Sequence, residues 1–308
     1  MKLISQVSLI IAIATACTNT TSESKNQTIA PPVARAERVF DYQPQSPVNG
    51  ELNAVIELGS LGLNYFVVNI DNQGRWKLVK SEYGRTNIIY GATTTNQIID
   101  KISDFKSTIL KAGVKDKNIF AVASSTFVKT EDVNRLREQL SEKGIKLKTV
   151  DASLEGKYAM MATIPREFIK ESYLVDIGSG NTKVSWIDKA DTLSVETHGS
   201  KYFLNNTQDT TVFREVRNVV LNIPEKNRNL CFILGGAIYE LVKDEVSEKN
   251  GRYYVLKHPS AYPKSNEKLN AGNVIYGAIY SEPTYSYIFD SQSNFSIGYL
   301  VSLKLEKY

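Results

Sequence analysis

Two short segments of this 308-residue sequence carry residue types suited to holding phosphate: Glu57-Leu58-Gly59-Ser60 and Asp176-Ile177-Gly178-Ser179-Gly180-Asn181-Thr182. In each, a carboxylate ends an apolar run, a glycine follows, and small hydroxyl or amide residues come next. Glycine lets the backbone turn tightly and approach a ligand. Successive amide N–H groups in such a turn form a nest for an anion. A carboxylate beside a phosphate is repulsive unless a cation lies between them, so Glu57 and Asp176 imply Mg²⁺. Each loop alone reads equally well as an ordinary hairpin turn. The recurrence of the design is what singles the pair out.

The elements around the loops recur too. Ala54-Val55-Ile56-Glu57-Leu58 reads as a strand that Gly59-Ser60 breaks. Residues 65–70 form a second strand, Asp71-Asn72-Gln73-Gly74 a hairpin turn, and residues 76–80 a third strand. Ile98, Ile99, Ile102, Phe105 and Ile109 fall at helical spacing within 95–112. Residues 119–123 and 146–150 read as strands. Between them a helix is expected over 130–143, with Asp132 in its first turn and Gly144 beyond its end. The order then restarts with a strand at 173–177, the second loop, and a strand at 183–187. Strands alternating with helices predict an α/β lobe with a mixed sheet, and the restart predicts a second copy. The lobes are expected over 51–157 and 158–308.

Paired loops of this kind resemble the phosphate loops of the actin-like ATPase superfamily. Within it the sequence most resembles the exopolyphosphatase/guanosine pentaphosphate phosphatase (Ppx/GppA) family, from about residue 55 to residue 300. Ile56-Glu57-Leu58-Gly59-Ser60 is similar to that family's first loop, and Ala121-Val122-Ala123-Ser124-Ser125-Thr126 to its V-A-T-S-A segment. Asp151-Ala152-Ser153-Leu154-Glu155-Gly156-Lys157 is similar to S-G-x-x-E-A-R, and the stretch from Leu174 to Thr182 to L-x-D-I-G-G-G-S-T. Leu234-Gly235-Gly236-Ala237 resembles a later Gly-Gly turn, and Ser296-Ile297-Gly298-Tyr299-Leu300 the closing segment.

The resemblance implies a two-lobed actin-like fold, a duplicated ribonuclease H-like α/β arrangement with an interlobe cleft. It implies hydrolysis of a terminal phosphoanhydride in polyphosphate or a phosphorylated nucleotide such as guanosine pentaphosphate. Glu155 falls on the family's water-activating glutamate. Gly59, Ser60, Ser124, Ser125, Gly178, Ser179, Gly180, Asn181 and Thr182 would bind phosphate, and Glu57 and Asp176 the Mg²⁺. A homodimer is the possible assembly. The sequence departs from the pattern at polar positions. Glu57 replaces Asp, Leu61 and Gly62 replace Asn-Ser, Val128 and Ile297 replace Arg, and Lys183 replaces Glu. These departures set up the alternative expectation, a degenerate, non-catalytic relative that binds a phosphorylated ligand or a partner at the envelope.

Formal net charge is +4. That helps attract polyanions but is too small to argue nucleic-acid binding, and no basic run with interleaved aromatics occurs. Met1-Lys2, an apolar stretch from Val7 to Ala16, and Ala14-Thr15-Ala16-Cys17 look like a lipoprotein signal. The apolar stretch is too short to span a bilayer. The expectation is a signal peptide over 1–17, lipid on Cys17, a flexible tether over 18–50 and a membrane-anchored place in the cell envelope. Only Cys17 and Cys231 are present, which excludes a disulfide framework and a Cys/His zinc centre. Cys231, within an apolar strand, reads as a small buried hydrophobe.

Overall fold

Period-two alternation in the strands and period-3.6 faces in the helices sort this chain into stacked layers. The computed structural model describes residues 40–59, 62–85, 94–129, 133–249 and 251–305, which all lie within one compact unit. The first sheet is built from β1 (Glu51–Leu58), β2 (Gly62–Ile70), β3 (Trp76–Arg85), β4 (Ile119–Ala123) and β5 (Leu147–Thr149), in the order β3-β2-β1-β4-β5. Its antiparallel half is β1–β2–β3 and its parallel half β1–β4–β5. The second sheet uses β6 (Ser172–Ile177), β7 (Asn181–Asp188), β8 (Asp191–His198), β9 (Leu230–Leu234), β10 (Tyr253–Val255) and β11 (Ser286–Asp290). Its order is β8-β7-β6-β9-β11-β10. Again the first three strands are antiparallel, and the β6–β9 and β9–β11 pairs are parallel. The two sheets repeat one topology, with β10 added at the edge of the second. The architecture is the two-lobed, duplicated α/β arrangement of the actin-like fold.

Along β1, Ala54, Ile56 and Leu58 face one way, against α1 (Thr95–Lys111) and α2 (Val133–Glu142). The α1 face is the one read from the sequence: Ile98, Ile99, Ile102, Phe105 and Ile109 are all buried. Burying such a side chain contributes about 1.5–3 kcal/mol. Thr94 and Gln97 close a capping box at the start of this helix. On β6, Tyr173, Val175 and Ile177 face the outer helices of the second lobe, α4 (Asp209–Leu221), α5 (Gly236–Lys249) and α6 (Glu267–Tyr280). The opposite faces of both sheets, through Val55, Phe66, Leu174, Phe232 and Ile288, enclose α3 (Ala152–Thr163) and α7 (Phe295–Leu305).

These two central helices cross at a glycine. A Cβ on Gly298 would lie 1.7 Å from the Tyr158 carbonyl oxygen, so the backbones touch there. Because α3 runs unbroken through residue 157, the expected lobe boundary falls inside a helix shared by both halves. Residues 40–50, the described part of the segment expected to be a tether, pack against the fold. Phe40 packs edge-on against Phe232 and Tyr253, and the Val48 amide donates to Asp71. Cys17 and residues 130–132 lie outside the described residues. Cys231 is fully buried, as its strand predicted.

Candidate functional site

The alternation that buries Val55 and Leu174 between the sheets also aims their neighbours two positions on. Glu57 and Asp176 therefore face inward from the ends of β1 and β6. Their cross-strand partners are Asn64 on β2 and Lys183 on β7, at the same spacing in each lobe. Asn64 shares a face with Phe66 and Val68, and Lys183 with Ser185 and Ile187, so both also face inward. Strand pairing thus places two carboxylates, an amide and an ammonium around one space.

That space is a cleft of about 570 Å³ lined by both lobes. The first lobe contributes Gly59, Gly62, Ser124 and Thr126. The second contributes Gly178, Ser179, Gly180, Asn181, Gly235 and Gly236. They cluster about the C-terminal ends of β1, β4, β6 and β9, with Gly62 and Asn181 opening β2 and β7, where open α/β sheets bind ligands. The loops are held by their own backbone: the Gly59 amide donates to Gly62 O at 2.8 Å, and the Ser200 amide to Gly178 O at 2.9 Å. Gly235 has φ +115, and a Cβ there would meet Ile177 O at 2.2 Å. The Gly-Gly turn accordingly needs glycine at its first position.

Glu155 enters from the first turn of α3, whose N-cap Asp151 accepts from the Leu154 amide at 2.8 Å. Gly156 lets this helix lie against the β7–β8 pair, because a Cβ there would be 2.4 Å from Ser185 Oγ. The close approach delivers the Glu155 carboxylate to Lys183. Lys183 Nζ is 2.9 Å from Glu155 Oε1, and each side chain is only 5% exposed. The Ser125 amide donates to the other oxygen, Oε2, at 2.8 Å. Lys183 Nζ also donates to Asn181 Oδ1 at 2.9 Å, and Asn181 Nδ2 to Glu196 Oε1 at 2.6 Å.

Burial, reinforced by the charges of Glu155 and Asp176, pushes the Glu57 carboxyl up to about 8. Hydrogen bonds from Asn64 and Asn294 oppose the rise. Burial likewise raises Asp176 to about 6, opposed by Lys183 and assisted by Glu155. Two carboxyls so raised, with Lys183 offsetting Asp176 alone, leave Glu57 without a neutralising charge. Glu57 Oε2 is buried without a hydrogen-bond partner. No cluster of three or more metal-ligating side chains occurs among the described residues. Mg²⁺ commonly uses one or two carboxylates and takes its remaining ligands from water and phosphate. Glu57 and Asp176 fit that demand, with the orphaned oxygen as the observation that supports it.

The structure brings Glu57, Gly59, Ser124, Glu155, Asp176, Gly178, Ser179, Gly180 and Asn181 to this one cleft. Ser60 lies outside the described residues. Ser125 is buried behind the cleft wall, its amide engaged by Glu155. Thr182 is fully buried and its hydroxyl has no partner. Sequence reading missed Asn64, Lys201, Lys268 and Asn294, which also line the cleft. Asn294 had a legible signal as an N-cap, since its side chain accepts from the Ser296 amide at 2.8 Å. Asn64 and the lysines had none outside the three-dimensional fold.

No protein-family model and no curated protein matches the sequence. Solved structures match in fold. A Ppx/GppA family member from Aquifex aeolicus aligns with a TM-score of 0.64 at 16% identity, covering 84% of this chain and 99% of that one. An exopolyphosphatase from Cytophaga hutchinsonii gives 0.62 at 13% identity, covering 82% of this chain and 98% of that one. An exopolyphosphatase-like protein gives 0.60 at 12%, covering 83% and 98%. The fold implied by the sequence motifs is therefore the fold of the Ppx/GppA structures. At these identities the likeness is one of architecture.

Proposed function

We infer that the interlobe cleft hydrolyses a terminal phosphoanhydride bond, in polyphosphate or in a nucleotide carrying a phosphate chain. The observation that carries this reading is the convergence of both glycine loops and Glu155 on one cleft. The amides of the 178–181 loop would hold the terminal phosphate, with Gly59 opposite. Glu155, fixed through Ser125 and Lys183, would orient a water toward phosphorus and accept its proton as the P–O bond to the leaving phosphate breaks. Mg²⁺ held by Glu57 and Asp176 would neutralise charge on the transferring phosphoryl group. The solved exopolyphosphatase structures of the same fold support the substrate class.

One observation favours a second reading, a non-catalytic binder of phosphorylated ligands. Both oxygens of Glu155 already accept a donor within the protein. Phosphate release from long-chain polyphosphate and from guanosine pentaphosphate, each with Mg²⁺, separates the two. Release that falls about 10²- to 10⁴-fold in Glu155→Gln supports the hydrolase. Binding of either compound without release by the unmodified chain replaces it with the binder.

A further inference from the structure

The two halves of the cleft are built alike but are charged differently. In the first lobe, Glu57 faces Asn64 across β1–β2, and Glu57 Oε2 has no partner. In the second lobe, Asp176 faces Lys183 across β6–β7. The lysines lining the cleft are Lys183, Lys201 and Lys268, all from the second lobe, and none of the described lining residues of the first lobe is cationic. One half thus awaits a cation from outside, and the other carries its own.

The geometry points to Lys183 as a direct phosphate ligand, a built-in cation that lets the second-lobe loop hold a phosphate chain without a divalent metal. This rests on the reading of the same cleft as a phosphate site and deepens it. A lysine ammonium has three donors. Glu155 Oε1 and Asn181 Oδ1 take two of them, each at 2.9 Å, and the third remains for an occupant of the cleft that Lys183 lines. Asn181 belongs to the glycine loop and is itself fixed by Glu196 at 2.6 Å. Ammonium and loop amides therefore form one preorganised cradle, which lowers the ordering cost of binding. A buried ion pair is often replaceable by apolar residues without loss of stability, because desolvating two charges offsets their attraction. A buried lysine at this position is better explained by an anion that it meets.

The test is isothermal titration of the full chain with inorganic tripolyphosphate, in EDTA and again in Mg²⁺. The unmodified chain should bind in both conditions. Lys183→Gln should weaken binding in EDTA on the order of 10- to 100-fold, the loss expected for one charged hydrogen bond. The loss in Mg²⁺ should be smaller, and Lys183→Arg should retain metal-free binding. A merely structural role for Lys183 would weaken binding equally in both conditions. Glu155→Gln leaves the ammonium in place and should bind in EDTA at least as well as the unmodified chain. Binding that vanishes in EDTA, or that is indifferent to Lys183→Gln, overturns the inference. Metal-free binding that depends on Lys183, without phosphate release, removes the hydrolase reading and keeps this one. Phosphate release without metal-free binding does the reverse, and no binding in either condition removes both.

Discussion

Lys183 stands directly across the β6–β7 pair from Asp176, in the place that Asn64 occupies across from Glu57 in the first lobe. The duplicated topology thus presents an amide at this position in one lobe and an ammonium in the other. The ammonium reaches past its own sheet to the α3 carboxylate of Glu155, 2.9 Å away. The contact adds an ion pair to the packing of α3 on the β7–β8 pair, which Gly156 makes close. Its consequences reach the protein's pH dependence, its loops and its central helix pair.

The raised carboxyls predict how stability responds to pH and metal. Glu57 lies near 8 and Asp176 near 6 in the folded protein, both above their ordinary values of 4.5 and 3.8. The folded state then binds more protons than the unfolded state. Stability from these groups is fully present below the unfolded values and is lost as pH rises through about 6 and then about 8. In chelator, the melting temperature should fall between pH 6 and pH 8.5, by an amount equivalent to a few kcal/mol at most. Mg²⁺ at pH 8.5 should restore part of the loss. Glu57→Gln should flatten the slope above pH 7. A melting temperature independent of pH in chelator would contradict the described burial of Glu57.

Binding and chemistry should separate between two variants. A Cβ at Gly178 would approach Asn181 O to 2.8 Å, so Gly178→Val distorts the loop and also obstructs its face toward phosphate. It should abolish tripolyphosphate binding, and Gly178→Ala should weaken it less. Glu155→Gln leaves the loop intact and should reduce phosphate release while affinity in Mg²⁺ changes little. Equal losses of affinity in Gly178→Val and Glu155→Gln would show that the loop is not the binding element.

Local pattern was enough for much of this molecule. The alternation in Ala54-Val55-Ile56-Glu57-Leu58, the Asp71-Asn72-Gln73-Gly74 turn and the isoleucine face of α1 all follow from nearest-neighbour physics, and the structure shows each. The two glycine loops were readable because their chemistry recurs in order. What escaped was set by strand register and helix packing. Asn64 matters because it pairs with Glu57, and Lys183 because α3 lies close enough to present Glu155. Glu155 would read locally as a solvated residue of a first helical turn, yet it is 3% exposed. Gly156 explains the difference, since a side chain there would hold α3 away from Ser185 and Ser194. β8, with its exposed and half-buried residues, and α7, apolar on every side, lacked a strong periodic signal, whereas α4 carried one in Val212, Val216 and Val220 at helical spacing.

The anchor prediction rests on the N-terminal sequence. Ala14-Thr15-Ala16-Cys17 after an apolar stretch would direct lipid to Cys17. A single acyl chain binds membranes weakly and two or more hold firmly. Full-length protein expressed in a bacterium should enter the detergent phase on partitioning, and Cys17→Ala should move it to the aqueous phase. Identical partitioning of the two forms would remove the lipid-anchor reading and leave the cleft chemistry untouched.

The crossing of α3 and α7 yields a prediction with an unusual sign. Replacing glycine by alanine inside a helix normally stabilises by about 1 kcal/mol, through chain entropy and helix propensity. Gly277 in α6 has room for the methyl group, with its nearest neighbour, Phe213, at 3.7 Å, so Gly277→Ala should follow that rule. At Gly298 the added Cβ would overlap the Tyr158 carbonyl oxygen at 1.7 Å, and backbone cannot rotate aside as a side chain can. Gly298→Ala must instead push α7 off α3, which should destabilise by about 1–3 kcal/mol or more. Tyr158 lies one turn along the helix that carries Glu155, and Phe295 of α7 lines the cleft. The same displacement should therefore weaken phosphate binding, although Gly298 itself does not line the cleft. Urea denaturation of both variants, followed by tripolyphosphate titration under native conditions, tests the two effects together. If Gly298→Ala stabilises the protein as Gly277→Ala does, the two central helices do not meet where their backbones are described as touching.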